Sequence, residues 1–259
     1  MTSMTPLTQR EKAVAVLQSI ATGDPQAFAY LHPQRYTQHN LSLPDGVQGI
    51  AGVLGSQPVG SFKAQVVRAF EDGDHVFTHT LYDFFGPKVG FDVFRFEQGL
   101  IVEHWDNLMP VRPANRSGRT GIDGSTALSE LDRSAANKRL VETFFSENIL
   151  QSAGRFAEYI DPAMAQHNPD GADGLQGLAE MMAMFNGADH IMRYDKIHKV
   201  LAEGNFVLLM SEGLYGPDGG APMAFYDLFR VDNGKLVEHW DVLEPIPARD
   251  QWMNQNGKF

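Results

Sequence analysis

The sequence of 259 residues predicts an α+β fold present twice in tandem, and three observations predict it. The stretch at 91–110 (FDVFRFEQGLIVEHWDNLMP) returns at 226–245 (YDLFRVDNGKLVEHWDVLEP), with eleven of twenty positions identical and Val-Glu-His-Trp-Asp unbroken. The likeness extends upstream: Gln38-His39-Asn40 matches Gln166-His167-Asn168, Asp45-Gly46 matches Asp173-Gly174, and Gly86-Pro87 matches Gly216-Pro217. The offset drifts between 128 and 135 through small loop insertions, and a unit of about 110 residues is domain-sized, well above the period of a repeat array. Within each copy helical periodicity comes first and strand alternation last. That order makes a domain whose helices pack on one face of a curved, mainly antiparallel sheet.

The elements of the first copy read in order. Thr8 followed by Glu11 forms a capping box opening a helix to about Ile20, with Val14, Leu17 and Ile20 on its apolar side. Asp24-Pro25 is an N-cap with proline at the first helical position, opening a short helix through Leu31. A third helix is expected near 47–54. Strands follow at 62–71 and 75–85 around Asp72-Gly73-Asp74, then at 90–97 and 100–108 around Gln98-Gly99. The second copy predicts helices at 132–150, 153–159 and 175–185. Its hairpins turn at Gly204-Asn205 and at Asn233-Gly234, a strong two-residue turn signal.

This divides the chain into a first domain at 8–111, a linker at 112–129, a second domain at 130–247 and a tail at 248–259. Residues 112–125 (RPANRSGRTGIDGS) are rich in Gly, Ser, Pro and Arg with no apolar period, which predicts a solvated linker carrying Arg112, Arg116 and Arg119. A composition 43% apolar and 20% charged suits two soluble globular domains. No apolar run approaches the ~18 residues needed to span a bilayer, and the amino end lacks the basic start and apolar core of a leader. Cytoplasmic residence is the expectation. The absence of cysteine removes disulfides, thiol nucleophiles and thiolate metal sites. A net charge of −11 argues against nucleic acid as a partner.

Strand alternation places the chemistry. In the 100–108 strand Ile101, Glu103 and Trp105 point one way, and Val102, His104 and Asp106 the other. His104 and Asp106 are therefore neighbours on one face, with Cα atoms roughly 6.5 Å apart, and His239 and Asp241 repeat them. On the opposite face Glu103 with Arg95, and Glu238 with Arg230, read as cross-strand ion pairs. If the helices cover the His/Asp face, burial disfavours the charged carboxylate and moves its pKa toward that of a useful base. A buried pair that satisfies only itself fits the same pattern. His39, His79, His104 and Asp106 would make an open metal site only if they converged, and the second copy has no partner for His79, so no metal is assigned. Met181, Met182 and Met184 read as core filler.

The run F-x-x-F-R, a turn glycine and V-E-H-W-D, with Q-H-N upstream after two helices, resembles the SnoaL-like polyketide cyclase family of the nuclear transport factor 2-like superfamily. That resemblance covers both copies and implies a cone-shaped α+β barrel for each. It implies acid/base roles for Asp106 and Asp241, with His104 and His239 in support, in an aldol ring closure or a related proton abstraction. The ligand would be a small apolar carbonyl compound, and no cofactor is expected. His39, Asn40, His79, His167 and Asn168 are the candidates for substrate contact. Family members pair through the outer sheet face, so a tandem chain implies an internal pseudo-dimer, with Trp105 and Trp240 near the shared interface and higher oligomers open. A non-catalytic small-molecule-binding or dimerisation module on the same fold is the alternative reading.

Overall fold

The structure is a computed structural model describing residues 6–55, 58–187 and 189–259; residues 1–5, at the amino end read above as lacking a leader, lie outside it. The chain divides into two compact units. The first takes residues up to Asp106 together with Ala248–Phe259, and the second takes Asn107–Pro247. Residues 112–129, read above as a linker, thus belong to the second unit, and the 248–259 tail to the first. No helix among the described residues is long and apolar enough to cross a membrane.

In the first unit α1 (Gln9–Thr22) carries the expected capping box. The Thr8 hydroxyl accepts from the Glu11 amide, the Glu11 carboxylate accepts from the Thr8 amide, and Gly23 closes the helix in the left-handed conformation. The Asp24-Pro25 start opens a 3-10 turn, Pro25–Tyr30, in place of an α-helix. A two-residue strand β1 (Thr37–Gln38) and helix α2 (Val47–Gly55) come next. The meander β2 (Lys63–Asp72), β3 (His75–Asp83), β4 (Pro87–Glu97) and β5 (Leu100–Pro110) completes the unit.

The second unit repeats this plan with α3 (Ser134–Phe144), α4 (Phe156–Tyr159), β6 (Ile160–Gln166), α5 (Gly174–Phe185), β7 (His190–Glu203), β8 (Phe206–Pro217), β9 (Ala221–Asp232) and β10 (Lys235–Pro245). The long helix expected at 132–150 is interrupted: a 3-10 turn precedes α3, and Phe145–Leu150 widen into a π-helix. A π segment turns side chains out of the α-helical register and is frequent at functional sites. Asn233 and Gly234 both take positive φ, 49° and 76°, as a tight hairpin of this hand requires.

Each sheet has five strands, in the orders β1-β5-β4-β3-β2 and β6-β10-β9-β8-β7. The fold is α+β, as expected, with one difference. The Gln-His-Asn segment, read as chain leaving the helices, begins in a strand that pairs in parallel with the signature strand. Gln38 stands opposite His104, and Gln166 opposite His239. Helices and sheet of the second unit close on a core that includes Val141, Phe144, Phe145, Ile160, Leu209 and Phe229.

Candidate functional site

In the second unit three ionisable side chains meet on the helix-covered face of the sheet. Asp227 on β9 lies directly across from Asp241 on β10, and His239 stands two residues before Asp241. Ligand atoms of the three lie within 4.8 Å of one another, and all three side chains are buried. His239 Nε2 bonds Asp227 Oδ1 at 3.1 Å, and Nδ1 bonds Gln166 Oε1 at 3.0 Å. That Gln166 oxygen also accepts the Asn168 amide at 2.9 Å, which fixes the orientation of the side-chain amide. Both imidazole nitrogens therefore face acceptors, the arrangement of a doubly protonated ring. Burial, the largest influence on His239, pulls its pKa down, but the Asp227 bond and the Asp241 and Asp227 charges outweigh it and the net shift is upward.

Asp241 is the counterpart. Asn168 Nδ2 donates to its Oδ2 at 2.6 Å, and Oδ1 is buried with no hydrogen-bond partner among the described residues. Burial lifts its pKa most and Asp227 adds to this; His239 and the Asn168 bond pull back, and the carboxyl ends at about 6. Asp227 Oδ2 and Gln166 Nε2 are also buried and without a partner. Tyr194, held neutral chiefly by burial, donates to Asp227 Oδ1 at 3.3 Å.

These groups form the polar floor of a cavity of about 310 Å³. Its walls are apolar and aromatic, with Phe144, Phe145, Met164, Met181, Tyr194 and Phe229 among them. Met181 and Met182 line the space and Met184 is exposed, so of the three helix methionines only Met181 lies in the core. Phe145 and Ile149 reach the cavity from the π segment, and Asn148 holds that segment by accepting the Arg155 amide.

The first unit brings together Asp92, His104 and Asp106 in the same way. His104 bonds Asp92 at 3.2 Å and Gln38 at 3.1 Å, and Asn40 donates to Asp106 at 2.7 Å. Here, however, the Tyr82 hydroxyl donates to Asp92 Oδ2 at 2.7 Å, and Gln38 Nε2 donates to the Tyr36 hydroxyl. The ammonium of Lys258, from the carboxyl-terminal tail, lies 3.9 Å from Asp106 Oδ1. Counting from the residues opposite the β4 and β9 aspartates, Thr78 and Leu209, Gly213 stands where the first unit has Tyr82. A Cβ on Gly213 would collide with the Arg193 carbonyl, so the register leaves that place without a side chain.

Several candidates land elsewhere. His39 and His167 point away from the aspartates. Each stacks on its own unit's tryptophan, Trp105 or Trp240, at 4.8 and 4.6 Å, and binds Glu103 or Glu238 at 3.0 Å. These glutamates make the expected ion pairs with Arg95 and Arg230, each at 2.7 Å. His79 pairs across the sheet with Phe91 and faces Arg68, on the side opposite Asp92. The three-histidine metal quartet therefore does not form. In the Asp-His-Asp cluster that does form, both His239 nitrogens are already committed, which suits a charged hydrogen-bond network rather than a metal ligand set. His239 also supports Asp227 and Gln166 directly, not Asp241 as the spacing suggested. Asp92, Asp227, Gln38 and Gln166 escaped the sequence reading, although the aspartate lay inside the repeated signature and the glutamine inside the repeated Q-H-N.

The arginine-rich segment is solvent-facing, as expected, but it is tied to the second unit. Arg112 forks onto Asp170, Arg116 pairs with Glu180, and Arg119 grips Asp173. Asn115 donates to the Gln166 carbonyl at 2.6 Å, and the Thr120 carbonyl bonds His167 Nδ1 at 2.8 Å. The tail does the same for the first unit, where Asn254 donates to the Asn40 carbonyl and the Gly257 carbonyl meets His39 Nδ1. Asp45 and Asp173, each before a repeated glycine, accept the backbone amides of Gln38 and Gln166 at 3.0 Å. Gly174 takes a φ of 77° with its α-carbon turned toward the Pro162 carbonyl, so a Cβ would sit 2.6 Å from that oxygen.

Residues 139–239 match the family model described as SnoaL-like domain. Solved structures similar to this chain include an NTF2-like protein from Cytophaga hutchinsonii, at 18% identity over 42% of this chain and 96% of that one, TM-score 0.37. Others are an LEH-like epoxide hydrolase from M. tuberculosis, 17% identical over 43% and 84%, TM-score 0.36, and a SnoaL-like polyketide cyclase from Agrobacterium tumefaciens, 12% identical over 42% and 91%, TM-score 0.35. No curated protein matches the sequence.

Proposed function

We propose that the second unit, whose residues 139–239 match the SnoaL-like domain family, is an acid/base enzyme acting on a small, largely apolar carbonyl compound. The observation that carries the reading is Asp241, a buried carboxylate among the residues lining an apolar cavity, whose Oδ1 has no hydrogen-bond partner among the described residues. Asp241 takes a proton from the carbon beside the carbonyl, and the electrons of that C–H bond form the enolate. Returning the proton to another carbon isomerises the molecule; attack of the enolate carbon on a second carbonyl closes a ring, and the alkoxide formed takes the proton back from Asp241. Either course asks for a base with a pKa near working pH and donors for the oxygen, and neither calls for a metal or organic cofactor. The ligand class and the reaction are proposed together with residence in the cytoplasm.

The test is exchange of the α-protons of β-tetralone in neutral heavy water, followed by proton NMR. The intact protein should accelerate exchange, and Asp241→Asn should lower the rate by about 10²- to 10⁴-fold, the usual share of a positioned base, while still binding the enol mimic β-naphthol. If the wild-type protein binds β-naphthol but leaves exchange at the buffer rate, the site is a binding module.

A further inference from the structure

Resting on that reading, we propose that the side-chain amide of Gln166 is the group that receives the carbonyl oxygen of the ligand in the second unit. Gln166 is fully buried and lines the cavity, and its Nε2 has no hydrogen-bond partner among the described residues. An amide N–H buried without a partner loses free energy in the empty site and regains it when a ligand oxygen arrives. Its orientation is not free to change. Turning the amide over would set Nε2 against the Asn168 backbone N–H, which now donates to Oε1 at 2.9 Å.

The amide is also polarised. The doubly protonated His239 donates Nδ1–H to Gln166 Oε1 at 3.0 Å, and its other nitrogen is held by Asp227 at 3.1 Å. Two donors on one carbonyl oxygen draw electron density from the amide nitrogen and strengthen Nε2–H as a donor, as hydrogen bonds in a chain reinforce one another. The imidazolium thus acts on the ligand oxygen through the amide, with no direct contact. Asp241 Oδ1 supplies the base on the same floor, so the site takes a molecule presenting a carbonyl oxygen and the adjacent C–H together.

The first unit shows the quenched form of this device. Gln38 repeats Gln166, but its Nε2 is spent on the Tyr36 hydroxyl at 3.3 Å. The matching position in the second unit is Met164, which is buried and lines the cavity. A methionine there accepts no strong hydrogen bond and leaves the amide open.

The experiment compares the affinities of β-naphthol and naphthalene for the full chain, a ratio that isolates the oxygen and cancels differences in cavity size. Wild type should favour β-naphthol at least about tenfold, equivalent to about 1.4 kcal/mol. Gln166→Met should bring the ratio close to one. So should Met164→Tyr, which keeps Gln166 and its bond to His239 and only occupies Nε2. In a spectrum of the wild-type complex, the Gln166 side-chain amide protons should move downfield with β-naphthol and not with naphthalene. A ratio near one in wild type overturns the assignment, as nothing then holds the oxygen, and so does a ratio that survives in both variants, because the aspartates would then hold it. The two readings fail separately. Exchange of β-tetralone with an unmoved ratio removes Gln166 and keeps the base, whereas a ratio that collapses in the variants without exchange keeps the oxygen site and removes the base.

Discussion

At the scale of single residues, the second unit keeps two carboxylates and an imidazole where water would otherwise solvate them. Holding Asp241 ionised in that enclosure costs stability, and the sign follows from its shift. The unfolded chain releases this proton at the ordinary 3.8 and the folded chain at about 6. The native state therefore binds the proton more tightly, and stability declines as pH rises from about 4 to about 6. The loss is on the order of 3 kcal/mol, from 1.36 kcal/mol per pKa unit. Asp241→Asn should be more stable than wild type at pH 8, with the advantage vanishing near pH 4, as urea unfolding at the two pH values would show. Equal stabilities at pH 8 would mean that Asp241 is solvated. Activity should follow the same group. The kcat/KM for β-tetralone exchange should rise through a pKa near 6 and fall again at higher pH, as His239, whose pKa is raised, gives up the proton that links it to Gln166. A pH profile flat between 5 and 7 would remove Asp241 as the base.

At the scale of elements, each site depends on a short parallel strand that is completed by a segment distant in sequence. β1 has only two residues, too few to stand on its own ladder. Its position comes from pairing with β5, from the Asp45 carboxylate on the Gln38 amide, and from the tail. Asn254 gives both protons of its amide to backbone carbonyls, Asn40 at 2.8 Å and Leu43 at 3.0 Å. Asn254→Ala leaves two carbonyls without their donor and should cost about 1–3 kcal/mol. The effect should be confined to the first unit, read as faster hydrogen exchange of the His39 amide, which donates to the His104 carbonyl at 2.9 Å. The matching amide in the second unit, His167 to the His239 carbonyl, should be unchanged and should instead respond to Asn115→Ala. Loss of protection at both amides from either substitution would contradict separate anchoring.

At the scale of the whole molecule, the two units share a plan and differ in what occupies the floor of the site. In the first, Tyr82 closes Asp92 and Tyr36 closes the Gln38 amide. In the second, Gly213 and Met164 stand at those places, and Asp227 Oδ2 and Gln166 Nε2 stay open. The chain should therefore bind one β-naphthol, measured by calorimetric titration, with the affinity lowered about tenfold by Gln166→Met. Two equivalent sites per chain would show that the tyrosines of the first unit yield to ligand.

The duplication, the order of helices and strands, and the facing of His104 with Asp106 and of His239 with Asp241 were legible from the sequence alone. Identity between the copies, period-two alternation and hairpin turns are local signals, and they survive in a linear reading. The third member of each cluster was not legible, because Asp92 and Asp227 join only through cross-strand register. The reversal of the Q-H-N roles was hidden for a related reason. A parallel strand has no turn to announce it, and its alternation sends Gln and Asn to the site and His to the tryptophan. The difference between the units lay still further from the sequence. Whether a tyrosine or a glycine stands beside each aspartate depends on which residues lie opposite one another across the sheet, a register that only the folded strands reveal. Sequence determined the fold and one edge of the site; tertiary structure decided which carboxylates and which amide join each cluster, and which of them a tyrosine already engages.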